Sequence, residues 1–144
     1  MAIHRDLYIK DQFSEPQNQW QNPVERQAIR WLKDSSQVLL DRTGAPDAAY
    51  YFAVKYLADI HNICYDKALG MCPKQHHFGS TVNISTYLQF TFWQRVLYLD
   101  HEEPWPHSKE RPGYWVGIAH NIGDALTFWI YDDQAKRLFA KSVV

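Results

Sequence analysis

Apolar residues recur at helical spacing in the first half of the chain. Within residues 23–42 and again within residues 47–64, they return every three or four positions, as on one face of an α-helix. Gly44 and Pro46 interrupt the pattern between the two segments, and both residue types commonly end helices. The spacing therefore predicts two successive amphipathic helices, residues 23–42 and 47–64.

In the second half of the chain the apolar period shortens to two, which is typical of β-strands. The runs at residues 114–118, 126–131 and 137–143 are rich in β-branched and aromatic residues. Alternating apolar residues within 92–99 predict an earlier, first strand, and the acidic, proline-containing residues 101–112 predict the loop that follows it. Asp132-Asp133-Gln134 provides a turn between the last two runs. Several short strands joined by turns predict a small β-barrel.

Shorter segments complete this outline. Alternating polarity over residues 3–10 predicts an edge strand. Glycine and proline mark residues 65–82 as a connector, with a short helical turn near residues 85–89. The chain is thus divided into three parts: residues 1–70 with one strand and two helices, a connector at residues 71–87, and a strand-rich part at residues 88–144.

Composition limits the classes of function and location. Of the 144 residues, 46% are apolar, which is sufficient for a hydrophobic core. The net charge is −1, so the chain lacks the basic excess of an autonomous DNA-binding domain. The aromatic content of 15% favours core and sheet packing over a surface that stacks bases. Two cysteines, and the lack of a signal segment or a membrane-length apolar run, predict an intracellular protein of nucleus or cytoplasm without a membrane partner.

Glu25 has two interpretations, and both place it in the first turn of the first helix. Asn22 suits the N-cap and Pro23 suits the first helical position, so Glu25 falls at the third. A glutamate there can close a capping box by accepting a hydrogen bond from the backbone N–H of Asn22. The alternative is a carboxylate ligand for a metal ion in a nuclease-like site. The local sequence leaves both interpretations open.

Eight segments of the chain, taken in their order and spacing, carry a resemblance to a known family. They are Ser14-Glu15-Pro16, Gln21-Asn22-Pro23-Val24-Glu25-Arg26, Leu40-Asp41-Arg42-Thr43-Gly44-Ala45-Pro46, Ala68-Leu69-Gly70, Asn83-Ile84-Ser85, Phe90-Thr91-Phe92-Trp93, Gly113-Tyr114-Trp115-Val116-Gly117-Ile118-Ala119 and Arg137-Leu138-Phe139-Ala140-Lys141-Ser142-Val143-Val144. Their combined order over nearly the whole chain is more specific than any single motif. Together they resemble the C-terminal part of a copia-type retrotransposon integrase.

The resemblance implies both a fold and a function. In that family the Asn-x-x-Glu-Arg stretch opens the last active-site helix of an RNase H-like catalytic core, and an SH3-like β-barrel follows. The implied fold is therefore α+β: a C-terminal helical remnant of an RNase H-like core, then an SH3-like barrel at residues 88–144. The implied function is DNA integration in the full-length protein, with DNA as partner and Mg²⁺ or Mn²⁺ as cofactor. Glu25 would be the catalytic third metal ligand, and Asn22 would order the approach to it.

The family's other metal ligands are missing from this chain. Its two active-site aspartates lie upstream of the glutamate, the nearer by a few dozen residues, whereas Asp6 and Asp11 are too close to Glu25 to match them. The family's upstream zinc-binding His/Cys module is missing as well. The resemblance therefore implies a fragment that is catalytically incompetent alone. Its helices lack the sheet on which the family packs them, so their apolar faces predict a loosely ordered half or a homo-oligomer.

Other polar clusters have plainer interpretations. Cys64, Cys72 and the His76-His77 pair match no common zinc-finger spacing, which favours an ordinary connector over a zinc site. The acidic pairs Glu102-Glu103 and Asp132-Asp133 fall on predicted loops and are interpreted as solvated surface. Two alternatives to integration stay open. One is a non-enzymatic module, derived from a degraded retroelement, that binds protein or nucleic acid; the other is a relic without a role.

Overall fold

A helical hairpin forms the first part of the fold. A computed structural model of the protein describes residues 23–123, 126–142 and 144, and for Val24 and Glu25 it describes the backbone only. A π-helical turn, Val24–Ile29, leads into helix α1, Arg30–Thr43, and a 3₁₀ turn, Asp47–Ala49, leads into helix α2, Tyr50–Ile63. Gly44 ends α1 in the left-handed conformation (φ 67°), which glycine adopts without steric cost. The two predicted helices are confirmed.

A third helix, α3, spans Pro73–Phe78 inside the segment that was predicted to be a connector. Pro73 occupies the first helical position, where its missing N–H is no loss. Gly79 ends the helix at a φ of 69° and donates its backbone N–H to the Gln75 carbonyl. The same proline and glycine that suggested a loop therefore bracket a short helix. The predicted turn near residues 85–89 is confirmed as a 3₁₀ turn, Ser85–Leu88.

Four antiparallel strands form one sheet in chain order. They are β1, Arg95–Leu99; β2, Glu110–Ile118; β3, Phe128–Asp132; and β4, Arg137–Lys141. The register between β2 and β3 shifts between Trp115 and Gly117, which makes Val116 the extra residue of a β-bulge. The turn predicted at Asp132-Asp133-Gln134 does connect β3 to β4. Of the predicted loop at residues 101–112, the last three residues belong to β2.

The sheet curls but does not close into the predicted barrel. In the described part of the chain, β1 and β4 are the two edges and have no hydrogen-bonded pairing with each other. Their side chains nevertheless meet: the Tyr98 and Phe139 ring centroids are 5.9 Å apart, and Lys141 Nζ is 3.8 Å from Asp100 Oδ1. The two edges are thus joined by side-chain contacts and not by a ladder of backbone hydrogen bonds, so the sheet stays open. The α+β class is confirmed for an open, curled sheet.

Helices and sheet share their hydrophobic core. From α2, the side chains of Tyr56, Ile60 and Ile63 pack against a cluster in the sheet that includes Trp115 and Ile130, both fully buried. A second cluster joins the helical hairpin to the bulge; its buried members are Leu40, Ala49, Ala53, Phe92 and Val116. The hairpin therefore covers much of its apolar surface with this chain's own sheet.

Most of the apolar helix residues that were expected to be solvent-exposed are half-buried. Ile29 is exposed, whereas Leu32, Leu39, Phe52 and Leu57 are half-buried. The expectation of a helical half without a packing partner is corrected to this extent, because the sheet supplies one.

Candidate functional site

The structure describes one of the two residues that the resemblance assigns to a metal site. Glu25 lies in the π-helical turn Val24–Ile29, immediately before α1. Single π-helical turns are frequent at functional sites. Asn22, like the edge strand predicted at residues 3–10, lies outside the described residues. The roles of Glu25 as a metal ligand or as a helix cap both stay predictions.

Among the residues that the structure describes, no three His, Cys, Asp or Glu side chains come together as a metal-binding group. Cys64 is exposed just after α2, and Cys72 precedes α3, where its Sγ lies 4.0 Å from Gln75 Oε1. His76 and His77 are exposed near the end of α3. Cys72 and the two histidines thus lie at opposite ends of α3, whereas Cys64 lies at the end of α2.

Asp132 is buried, which corrects its interpretation as a solvated surface acid. Its side chain is 1% exposed at the end of β3. Oδ2 accepts a hydrogen bond from the Tyr98 hydroxyl at 2.5 Å, and Oδ1 accepts from the amides of Gln134 at 2.7 Å and Ala135 at 2.9 Å. Its neighbour Asp133 is exposed, as expected, and pairs with Lys136. Asp132 therefore fixes the β3–β4 turn and is a structural carboxylate.

The hydrogen bonds of Asp132 decide its protonation state. Burial alone would raise the pKa of the Asp132 carboxyl, but the bonds from Tyr98, Ala135 and Gln134 outweigh burial and hold that pKa below its ordinary value. Burial, together with the hydrogen bond to the carboxylate, raises the pKa of the Tyr98 hydroxyl. Asp132 is thus charged and Tyr98 neutral at neutral pH.

Three aromatic rings stack beside the bulge. Trp93 lies with its ring 4.8 Å from Tyr114, nearly parallel at 8°, and 5.7 Å from Tyr131. Its φ of 61° is uncommon for so bulky a residue, so packing must hold it there. All three rings are half-buried, and Trp93 and Tyr131 contact the core cluster shared with the helices. These aromatics serve packing, as the composition favoured.

A cleft with converging polar groups lies between α2, α3, the 3₁₀ turn Ser85–Leu88 and the residues just after β2. Its volume is about 450 Å³. At its wall, His120 Nε2 lies 3.3 Å from Asp59 Oδ2 and 3.3 Å from the hydroxyl oxygen of Tyr87. Asp59 and His120 are 61 positions apart in sequence, and Tyr87 and His120 are 33 apart. Because no local motif spans such separations, the sequence gives no signal for this grouping.

Protein-family models, curated proteins and solved structures were compared with this chain, and none of them matches it. Among the described helices, none is long and apolar enough to cross a membrane.

Proposed function

We propose that this chain is the C-terminal part of a copia-type retrotransposon integrase. The complete protein would join the ends of a reverse-transcribed element to host DNA by metal-dependent transesterification. The observation that carries the proposal is the order of elements: a helical hairpin opening near Glu25, followed by an antiparallel meander. The eight motifs that resemble the family run along the chain in that same order.

The α+β fold supports the two finer assignments within this proposal. The hairpin of α1 and α2 would be the remnant of the RNase H-like core. The curled sheet would be the SH3-like domain, since its edge strands approach each other through Tyr98, Phe139 and Lys141. A barrel would require backbone pairing between β1 and β4, whose side chains are already in contact.

Glu25 would act as the third carboxylate of the metal site. Two-metal phosphoryl transfer needs several carboxylates to hold a pair of Mg²⁺ or Mn²⁺ ions that activate the nucleophile and stabilise the leaving oxygen. Asn22 would order the backbone that leads to Glu25. One carboxylate cannot clamp two ions, so this chain alone should lack activity.

A strand-transfer assay tests the proposal. The 144-residue chain is incubated with Mg²⁺ or Mn²⁺ and a recessed-end DNA duplex, in parallel with a longer chain that has a family catalytic core with its two aspartates placed upstream. We expect no joining by the short chain and joining by the longer chain. A longer chain that folds and binds metal but joins no DNA would contradict the integrase assignment.

The second candidate, a non-enzymatic interaction module, is favoured by the shared core. Tyr56 of α2 stacks edge-on against Trp115 of β2, with ring centroids 5.7 Å apart and planes at 90°. A hairpin anchored in this way has its own packing partner within the chain. Monomeric, cooperative unfolding of the 144-residue chain would favour this module, whereas unfolding of the helices before the sheet would favour a fragment.

A further inference from the structure

The cleft beside His120 extends into a second cavity. The larger cavity, about 450 Å³, and the smaller, about 290 Å³, share three lining residues: Lys74, Tyr87 and His120. Ile63 and Phe78 line the larger cavity with apolar side chains. Three separate segments thus bring a lysine, a tyrosine and a histidine to one depression with apolar sides.

The geometry around His120 leaves a hydrogen-bond donor free in this depression. A lone pair on Nε2 would face the lone pairs of Asp59 Oδ2 at 3.3 Å, so the arrangement favours a proton on Nε2. The Tyr87 hydroxyl, also 3.3 Å from Nε2, then has no acceptor in the imidazole for its own proton. Among the described residues, the Tyr87 hydroxyl has no other hydrogen-bond partner.

The Tyr87 hydroxyl keeps its proton at neutral pH. Burial, reinforced by the nearby Asp59 carboxylate, raises the pKa of Tyr87 to about 12. A neutral hydroxyl of this kind donates to an acceptor in the depression.

Lys74 supplies a positive charge at the same place. It is half-buried in α3 and lines both cavities. In the described part of the chain, no carboxylate lies within ion-pair distance of its ammonium group. A partly desolvated ammonium group without a counter-ion favours binding of an anion.

We propose that this depression binds a nucleotide, with its phosphate at Lys74 and Tyr87 and its base against Phe78. A phosphate offers acceptor oxygens in several directions, which suits donors that come from different elements. Phe78 is 67% exposed and lines the larger cavity together with Ile63, so its ring is accessible to a base. The larger cavity exceeds what a phosphate alone would fill. The source of the nucleotide, a DNA strand, rests on the proposed function.

Amide NMR spectra of the 144-residue chain test the site. The probes are deoxyadenosine monophosphate, deoxyadenosine without phosphate, and a short single strand of oligo(dA). We expect the monophosphate and the strand to shift the signals of Lys74, Phe78 and His120, and deoxyadenosine to shift them far less. If the monophosphate binds and the oligo(dA) strand does not, the nucleotide site is supported and a DNA strand is excluded as the source of the nucleotide. No shift at these residues with either phosphate-bearing probe would overturn the proposal.

Matched variants separate the site from general attraction by charge. Lys74→Gln should weaken binding of the monophosphate about tenfold, because it removes a charge-assisted contact. Tyr87→Phe keeps the ring in the core and should weaken binding by a similar factor, provided its thermal midpoint matches the parent chain. Lys67→Gln, at an exposed lysine outside the cleft, should leave affinity unchanged. Equal affinities of the Lys74 and Lys67 variants would overturn the proposal, whatever the strand-transfer assay gives for the integrase assignment.

Discussion

The hydroxyl of Tyr98 on β1 donates a hydrogen bond to Oδ2 of Asp132 at the end of β3, with 2.5 Å between the two oxygens. β1 and β3 are not neighbours, because β2 lies between them. The bond therefore crosses the inner, concave face of the curled sheet. The other oxygen of Asp132 holds the β3–β4 turn, so one carboxylate joins the interior of the sheet to its last turn.

Replacing Tyr98 by Phe should destabilise the fold without leaving a large cavity in the core, because the ring stays in place. The change leaves a buried carboxylate short of one hydrogen bond, which lowers the free energy of unfolding by about 1.5–3 kcal/mol. Urea denaturation measures this loss. Tyr114→Phe is the matched control, since Tyr114 makes no side-chain hydrogen bond to a described residue, and it should cost less than about 0.5 kcal/mol. Equal losses in the two variants would contradict the role of Asp132.

The lowered pKa of Asp132 predicts a loss of stability in acid. A carboxyl whose pKa is lower in the folded state stabilises the fold above its unfolded pKa, and this contribution disappears as pH falls through the folded pKa. Thermal midpoints should therefore drop steeply below about pH 4. Asp132→Asn should lower the thermal midpoint at neutral pH and make its decrease below about pH 4 shallower. Asp133→Asn, at the exposed neighbour, should keep the steep decrease of the parent chain. An equally steep decrease in Asp132→Asn would contradict this role of Asp132.

The shared core predicts that α2 and β2 open together. Tyr56 contacts both Phe92 and Trp115, with ring centroids 5.5 and 5.7 Å away. Tyr56→Ala should lower the opening free energy of slowly exchanging amides in both elements by about 2–3 kcal/mol, as for other large-to-small core changes. Hydrogen exchange measures this, with Tyr51→Ala as control because Tyr51 is 69% exposed. Loss of protection in α2 alone would show that the two halves are energetically separate.

DNA binding by this chain should be weak and should fade with salt. The net charge of −1 offers few phosphate contacts. With Lys74 as the main contact, the slope of log affinity against log salt for a single strand should lie near −0.7, the value for about one neutralised phosphate. Lys74→Gln should bring the slope close to zero in fluorescence anisotropy titrations. A slope several times steeper in the parent chain would indicate a broad basic interface.

Periodicity was sufficient to predict most elements of this fold. The three-four spacing located α1 and α2, and the change to a period of two located the sheet, because burial of one face imposes these periods directly. Helix α3 was missed because it has six residues, too few to show a period. The extent of curling was not predictable either, since it depends on contacts between β1 and β4, which are distant in sequence.

The polar groups of interest were the harder part to predict. Asp132 was interpreted as a surface acid because its neighbours along the chain are turn residues, while its partner Tyr98 lies 34 positions away. The same holds for Asp59 and His120, which no local motif connects. Glu25 could be singled out because the helix-start signals around it are local in sequence and because it lies in one of the segments that carry the resemblance.

The most direct test of the integrase assignment is strand transfer by the longer, core-restored chain with Glu25→Gln. The amide keeps the shape of the side chain but loses the anionic metal ligand. We expect this variant to fold with an unchanged thermal midpoint and to join no DNA, while the control Glu102→Gln, at an exposed acid, retains full activity. Full strand transfer by the Glu25→Gln enzyme would show that Glu25 is only a helix cap and would contradict the account.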